Sequence, residues 1–278
     1  MENGNRILVR ALVILFLLLP GSGCKNVLED SAKTSTDEAL FFEAKQLMNS
    51  GDWTGAITQF ERMSAAYLAS RDVAPHYASA YAGRCGLSYL GFVESLGSIG
   101  TTKLFRFLMN TYPGSAATHV ADCETAETIL LTSVADPNLR TVDENLLVAF
   151  TAFTKLGTIL NTYADTDDDG SPDGGFDACN VGSLADADAR QVGTGLAIAL
   201  SALQAAAAET TIGSGETATL TSGCADLAVL APSFDFCSVT DPASLTADQV
   251  KGIRSVIQEN EWVGIGSCNN TLDNCLCP

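Results

Sequence analysis

The chain is poor in the residues that usually do chemistry. It carries two histidines, His76 and His119, in 278 residues. No Gly-x-Ser-x-Gly elbow, phosphate-binding glycine loop, His-Glu-x-x-His pair or Cys-x-x-Cys-His haem attachment is present. The two histidines fall on separate predicted helices and read as surface or helix-end residues. No catalytic residue is assigned, and the chain reads as a non-enzyme. Basic residues are scarce as well, 15 Lys and Arg against 33 Asp and Glu, for a net charge of −18. That balance repels phosphate backbones and excludes a nucleic-acid partner. Long apolar runs are missing: Ala11 to Leu19 spans nine residues, and a hydrocarbon core needs about 20. No strand series is readable either, so the pattern predicts an all-α chain.

What is present begins at the N-terminus. Arg6 and Arg10 flank the short apolar run, which leads to "GSGC", Gly21 to Cys24. A basic flank, a short apolar region and small residues are the layout of a secretory signal peptide. The four residues resemble the lipobox of bacterial lipoproteins, departing at Gly21, where the family usually has leucine or another aliphatic residue. The resemblance implies a diacylglyceryl group on Cys24 as the new N-terminus and a membrane held through that lipid. Ordinary signal-peptidase cleavage after Gly23 is the alternative. Lys25 follows in place of the aspartate of inner-membrane retention, which implies the outer membrane of a bacterial envelope. Without residues 1–23 the chain keeps 32 acidic and 13 basic residues, a net charge of −19.

Nine cysteines fit the same compartment. Setting Cys24 aside leaves Cys85, Cys123, Cys179, Cys224, Cys237, Cys268, Cys275 and Cys277, an even set suited to disulfides in an exported chain. Local pairing is favoured for Cys224 with Cys237, and for Cys268 with Cys275 or Cys277. The C-terminal "SCNNTLDNCLCP" has no apolar period and needs a covalent staple.

The chain divides into a signal segment (1–23), a polar tether (24–35), a helical region (36–163), an Asp-rich loop (164–181) and a C-terminal region (182–278). Ser35 and Glu38 have capping-box spacing for a first helix bearing Leu40, Ala44, Leu47 and Met48, stopped at Gly51. Trp53, Ala56, Ile57, Phe60, Met63 and Tyr67 make the apolar stripe of a second. Ala44, Leu47, the turn "GDW", Ala56 and Phe60 resemble one tetratricopeptide repeat, without that family's closing proline near Leu68. Pro75 opens a further helical stretch carrying Tyr77, Tyr81, Cys85, Tyr89 and Phe92. Helices follow in "TKLFRFLMNTY", in "SAATHVADCETAETILLTSVA", and from a Thr141–Glu144 box to Tyr163. Beyond the loop, Ser183 is the expected cap of an Ala-rich helix from about Leu184 to Glu209. After Gly213 the chain is expected to be irregular until a last helix opened by Thr246 and Gln249. The expected architecture is antiparallel helical hairpins of tetratricopeptide-like type, a calcium-loop joint, and a disulfide-stapled C-terminal region.

The Asp-rich loop is the one concentrated chemical feature, with six aspartates from Asp165 to Asp177. Counting Asp165 as position 1, acids fall at 3 (Asp167) and 5 (Asp169), with Gly170 at 6, where a tight loop turns. Ser171 at 7 would offer its carbonyl, and Asp173 at 9 a carboxylate or a water. "DTDDDGSPD" closely resembles the calcium loops of thrombospondin type 3 repeats, and less closely those of EF-hands and dockerins. It departs at position 12, where Phe176 replaces the closing glutamate; Asp177, Asp186 or Asp188 would have to complete the shell. The expected cofactor is a structural Ca²⁺ held by Asp165, Asp167, Asp169, Ser171, Asp173 and Asp177. The competing reading is a solvated acidic linker.

The tetratricopeptide resemblance implies a concave face that holds an envelope protein or peptide segment, with Trp53, Tyr77, Tyr81 and Tyr89 as candidate residues. Burial statistics favour core packing over a partner contact for each of them. Similar lipid-anchored helical-repeat proteins serve outer-membrane protein assembly, and others, associated with TRAP transporters, bind small ligands. The leading expectation is therefore a non-catalytic binding or assembly scaffold. The alternative is a transport component that binds a small apolar or organic-acid solute.

Overall fold

The computed structural model describes residues 35–96, 99–208 and 214–278. The signal segment, Cys24 and nearly all of the tether lie outside the described residues. Among those described there are eleven α-helices and no strand: α1 (Asp37–Asn49), α2 (Trp53–Glu61), α3 (Ala65–Leu68), α4 (Ala74–Cys85), α5 (Tyr89–Leu96), α6 (Leu104–Thr111), α7 (Ala117–Ser133), α8 (Val142–Ala164), α9 (Asp186–Ala207), α10 (Ser214–Leu230) and α11 (Ala247–Gln258). No helix among them is long and apolar enough to cross a membrane.

Several boundaries follow local chemistry. Thr141 and Glu144 cap α8 reciprocally, as do Thr246 and Gln249 at α11. Helix α1 starts one residue later than the Ser35–Glu38 spacing predicts, because the Thr36 hydroxyl accepts from the Ala39 amide. Gly51, at φ +78°, takes the left-handed turn that ends α1. The stripe from Trp53 to Tyr67 is broken after Glu61, where Ser64 caps the short α3. Gly86, at φ +120°, likewise separates α4 from α5. Ser183 does not cap α9; the N-cap is Ala185, which offers no side-chain acceptor. The largest departure is α10, which occupies residues 214–230, where the sequence suggests irregular chain.

Helix α8 is the axis of the body. It packs against α9, α6, α7 and α4, and 17 of its 23 residues are buried. A helix enclosed on every side should be apolar all round, yet α8 also buries Thr151, Thr154, Lys155, Thr158 and Asn161. Most of these are answered. The Thr154 hydroxyl meets the Tyr112 hydroxyl at 2.8 Å, and Lys155 Nζ pairs with Glu127 and donates to Gln191 Oε1. Gly157 lets α6 approach α8: a Cβ there would lie 2.5 Å from the Leu108 carbonyl oxygen.

The main core runs from Ala78 to Leu272 without a break at the acidic loop, since α8 and α9 pack directly on one another. A smaller core unites Leu40, Ala44, Ala56, Ile57, Phe60, Met63, Val73 and Ala80, and Tyr81 packs against both. Four cysteine pairs lie at disulfide distance. Cys85 and Cys123 join α4 to α7, and Cys179 and Cys277 join the acidic segment to the C-terminus. Cys224–Cys237 and Cys268–Cys275 close short loops. The last two fall on the pairs that proximity favours; the first two span 38 and 98 residues, and the sequence does not choose them.

Candidate metal centre at the end of the central helix

The acidic loop leaves the C-terminus of α8, where Asp165 is the C-cap residue and is buried. Asp165 Oδ1 accepts from the Asp169 amide at 3.0 Å and Oδ2 from the Gly170 amide at 3.2 Å. Gly170 supplies the turn, at φ +83°. The Asp173 amide donates back to the Ala164 carbonyl at 2.6 Å, closing the loop on itself. Carboxylate oxygens of Asp165, Asp167 and Asp173 thereby lie within 4.8 Å of one another. One of the three is buried, one half-buried and one exposed.

The remaining predicted ligands are placed differently. Asp169 Oδ1 accepts from the Ser171 amide at 2.8 Å, and the Ser171 hydroxyl accepts from Arg106 at 2.8 Å. Asp177 Oδ1 accepts from the Cys179 amide at 2.9 Å, turning the chain towards α9. Phe176, at the position where an EF-hand closes its shell, packs half-buried on the main core. Asp186 is paired with Arg254 at 2.6 Å, and Asp188 is hydrogen-bonded to Tyr163.

Residues that the sequence reading did not select fix the loop to the body. Asp168 sits at φ +58°, and its Oδ1 accepts from the Gly114 amide and from Asn161 Nδ2, both at 2.9 Å. Arg106 of α6 donates to the Gly170 carbonyl and the Ser171 hydroxyl. Only the partner distance in sequence hid them: each contact spans more than fifty residues, except Asn161, which lies one helical turn upstream of Asp165.

Electrostatics explains what such a loop asks for. Burial holds the Asp165 carboxyl above its ordinary pKa, the Gly170 and Asp169 amides offset part of this, and the charges of Asp169 and Asp167 add to it. Asp168 moves the other way, lowered by the Gly114 amide and Asn161. Among the described residues no lysine or arginine forms an ion pair with Asp165, Asp167 or Asp173. An oxygen-only donor set with uncompensated charge suits a hard divalent cation.

The candidate partner residues are largely committed to packing. The Trp53 indole lies on Gly83, where a Cβ would approach within 2.6 Å. Tyr77 packs between Phe60 and Tyr81, tilted against the first and edge-on to the second, with both ring centroids at 5.2 Å. Tyr81 donates to Glu61 at 3.1 Å and lies under the Arg84 guanidinium. Tyr89 is the most open of the four at 42% exposure, flanked on α5 by exposed Leu90 and Val93. His119 Nδ1 accepts from the Ala116 amide at the start of α7. His76 packs edge-on to Phe41, and burial together with Lys45 lowers its pKa.

Comparison with known proteins finds no matching family model, curated protein or solved structure.

Proposed function

We propose that the chain is a lipid-anchored, non-catalytic scaffold of the bacterial envelope, braced by a structural calcium ion at the end of α8. The observation that carries the brace is the convergence of Asp165, Asp167 and Asp173 on a loop tied to α6 and α8 through Arg106, Asp168 and Asn161. A cation there holds the α8–α9 crossover against the α6–α7 turn. In an exported protein a weak site suffices, because extracellular calcium modules work at about 10⁻⁴–10⁻³ M.

The scaffold reading draws on the packing of α1 on α2 and of α2 on α4, which we read as one tetratricopeptide-like unit. Trp53, Tyr77 and Tyr81 serve its packing, which leaves the open apolar face of α5 around Tyr89, Leu90 and Val93 for a partner protein or peptide. An open face favours an assembly role over the enclosed aromatic pocket that a carrier of apolar solutes would need.

Calorimetry of the full chain with millimolar Ca²⁺ tests the brace: saturable heat is expected, and Asp167→Ala should abolish it. Absence of heat in the unaltered chain would return the loop to a solvated linker. For the scaffold, a partner retained from envelope extract should be lost on Leu90→Asp with Val93→Asp; retention by that variant would remove α5 from the interface.

A further inference from the structure

A second built feature lies between α10 and the C-terminal loops. Helix α10 and the C-terminal loops enclose a cleft of about 870 Å³, lined by Gly223, Asp226 and Leu230 on one side and Glu261, Trp262 and Asp273 on the other. That volume lies within the range of small-molecule sites, roughly 300–1,000 Å³.

Its walls are held from behind. The buried Glu259 carboxylate accepts from the amides of Glu261, Trp262, Val263 and Gly264, which fixes the strap carrying two lining residues. The Leu272 amide donates to Glu261 Oε2 at 3.3 Å. Cys268–Cys275 closes the loop that bears Asp273, and Cys224–Cys237 pins α10. Gly223 has no side chain because the Trp262 indole occupies that space: a Cβ there would stand 1.9 Å from the ring.

The lining has one sign. Asp226, Glu261 and Asp273 are all exposed carboxylates, and no lysine or arginine is among the lining residues. Lys103 donates to the Glu261 backbone carbonyl at 2.6 Å and forms no ion pair with its carboxylate. The Asp226 carboxylate has no hydrogen bond or ion pair among the described residues. An indole with carboxylates around it and an aliphatic neighbour, Leu230, is the chemistry that recognises an ammonium group on an apolar body. The same charges repel an organic acid.

We propose that this cleft binds a small organic cation, an ammonium or quaternary ammonium compound, through Trp262 and the carboxylates of Asp226, Glu261 and Asp273. The site is separate from the acidic loop and does not depend on calcium being bound there.

The test uses the full chain in neutral detergent and choline as probe, with the uncharged isostere 3,3-dimethylbutan-1-ol and benzoate as controls. The chain has two tryptophans, so indole N–H resonances are assigned by Trp53→Phe. Choline should shift the Trp262 resonance saturably, and the isostere should bind about tenfold more weakly, the ratio that about 1.4 kcal/mol of cation–π attraction gives. Asp226→Asn with Glu261→Gln should weaken choline by about tenfold while changing the melting temperature little, since both side chains are exposed and a glutamine oxygen can still accept from the Leu272 amide. Three results would overturn the proposal: no saturable shift, equal binding of choline and either control, or unchanged affinity in the double variant.

Discussion

Two helices of this protein end on an acid, and they treat it in opposite ways. Asp165 is the C-cap of α8 and Glu259 the C-cap of α11, both buried. A carboxylate at a helix C-terminus faces the negative end of the macrodipole, an unfavourable term of about 0.3–1 kcal/mol. At α11 the following strap folds over Glu259 and gives it four amide donors. Each hydrogen bond to a charged group contributes about 1.5–3 kcal/mol, so the nest overrides the dipole several times over. At α8 the loop gives Asp165 only two amides and places two further carboxylates beside it. The first site is complete in protein atoms. The second has charge left to neutralise, and that difference is the physical argument for a cation.

The largest effect should come from breaking the complete site. Glu259→Ala leaves the four amides without their acceptor, two of them on the buried residues Val263 and Gly264, and should cost about 3–5 kcal/mol. Denaturant unfolding should show that loss equally with and without calcium. A calcium-dependent loss would mean the two ends are coupled. A carboxylate answered by a buried cation gives the intermediate case. Lys155→Met strands Glu127, whose Oε2 already has no partner, and should cost about 3 kcal/mol. Adding Glu127→Leu should recover much of it, because a well-packed apolar pair replaces a buried ion pair at little penalty.

The incomplete site should change sign with conditions. At calcium ten times its dissociation constant the unaltered chain should gain about 1.4 kcal/mol. Asp167→Asn removes one of three converging charges. In chelator it should match or exceed the unaltered chain in melting temperature, because repulsion is relieved; in calcium it should fall below it. Equal loss under both conditions would show that Asp167 serves packing and not an ion.

The comparison also shows what a sequence can carry. The Thr141–Glu144 and Thr246–Gln249 boxes are legible because donor and acceptor lie within one turn. The turn of the acidic loop is legible for the same reason: the aspartate spacing and Gly170 are local. Helix α10 is not, since "SGETATLTSGCADLAVL" is rich in Thr, Ser and Gly and its two buried leucines, Leu220 and Leu227, stand two turns apart. It is held by Leu220 and Leu227 in the main core, by Cys224–Cys237 and by Trp262 lying against Gly223. The Glu259 nest escapes notice differently. Its acceptor and donors are adjacent in sequence, but a Glu followed by "NEWVGIG" reads as an ordinary polar helix end until the backbone is seen to curl. Lys155 is hidden within the apolar run of α8, and its partners Glu127 and Gln191 come from α7 and α9.

The smallest effect sharpens the comparison from the surface. Glu144 is answered by an arginine: Arg71 donates to both carboxylate oxygens, at 2.8 and 2.6 Å, while the Thr141 amide donates at 2.7 Å. Arg71 chiefly, assisted by Thr141, lowers its pKa to about 2 from 4.5. A carboxyl depressed on folding binds fewer protons in the native state, so its stabilisation is present above pH 4.5 and is lost as the pH falls towards 2. Solvent screens this exposed pair, which limits the effect to about 1 kcal/mol or less. Glu144→Gln should therefore lower stability slightly at pH 7 and converge with the unaltered chain near pH 2, with salt shrinking the difference. Glu259→Ala should show no such salt dependence, because amides rather than mobile charges answer that carboxylate. If both variants respond alike to salt, the distinction between a nest and an ion pair fails in this protein.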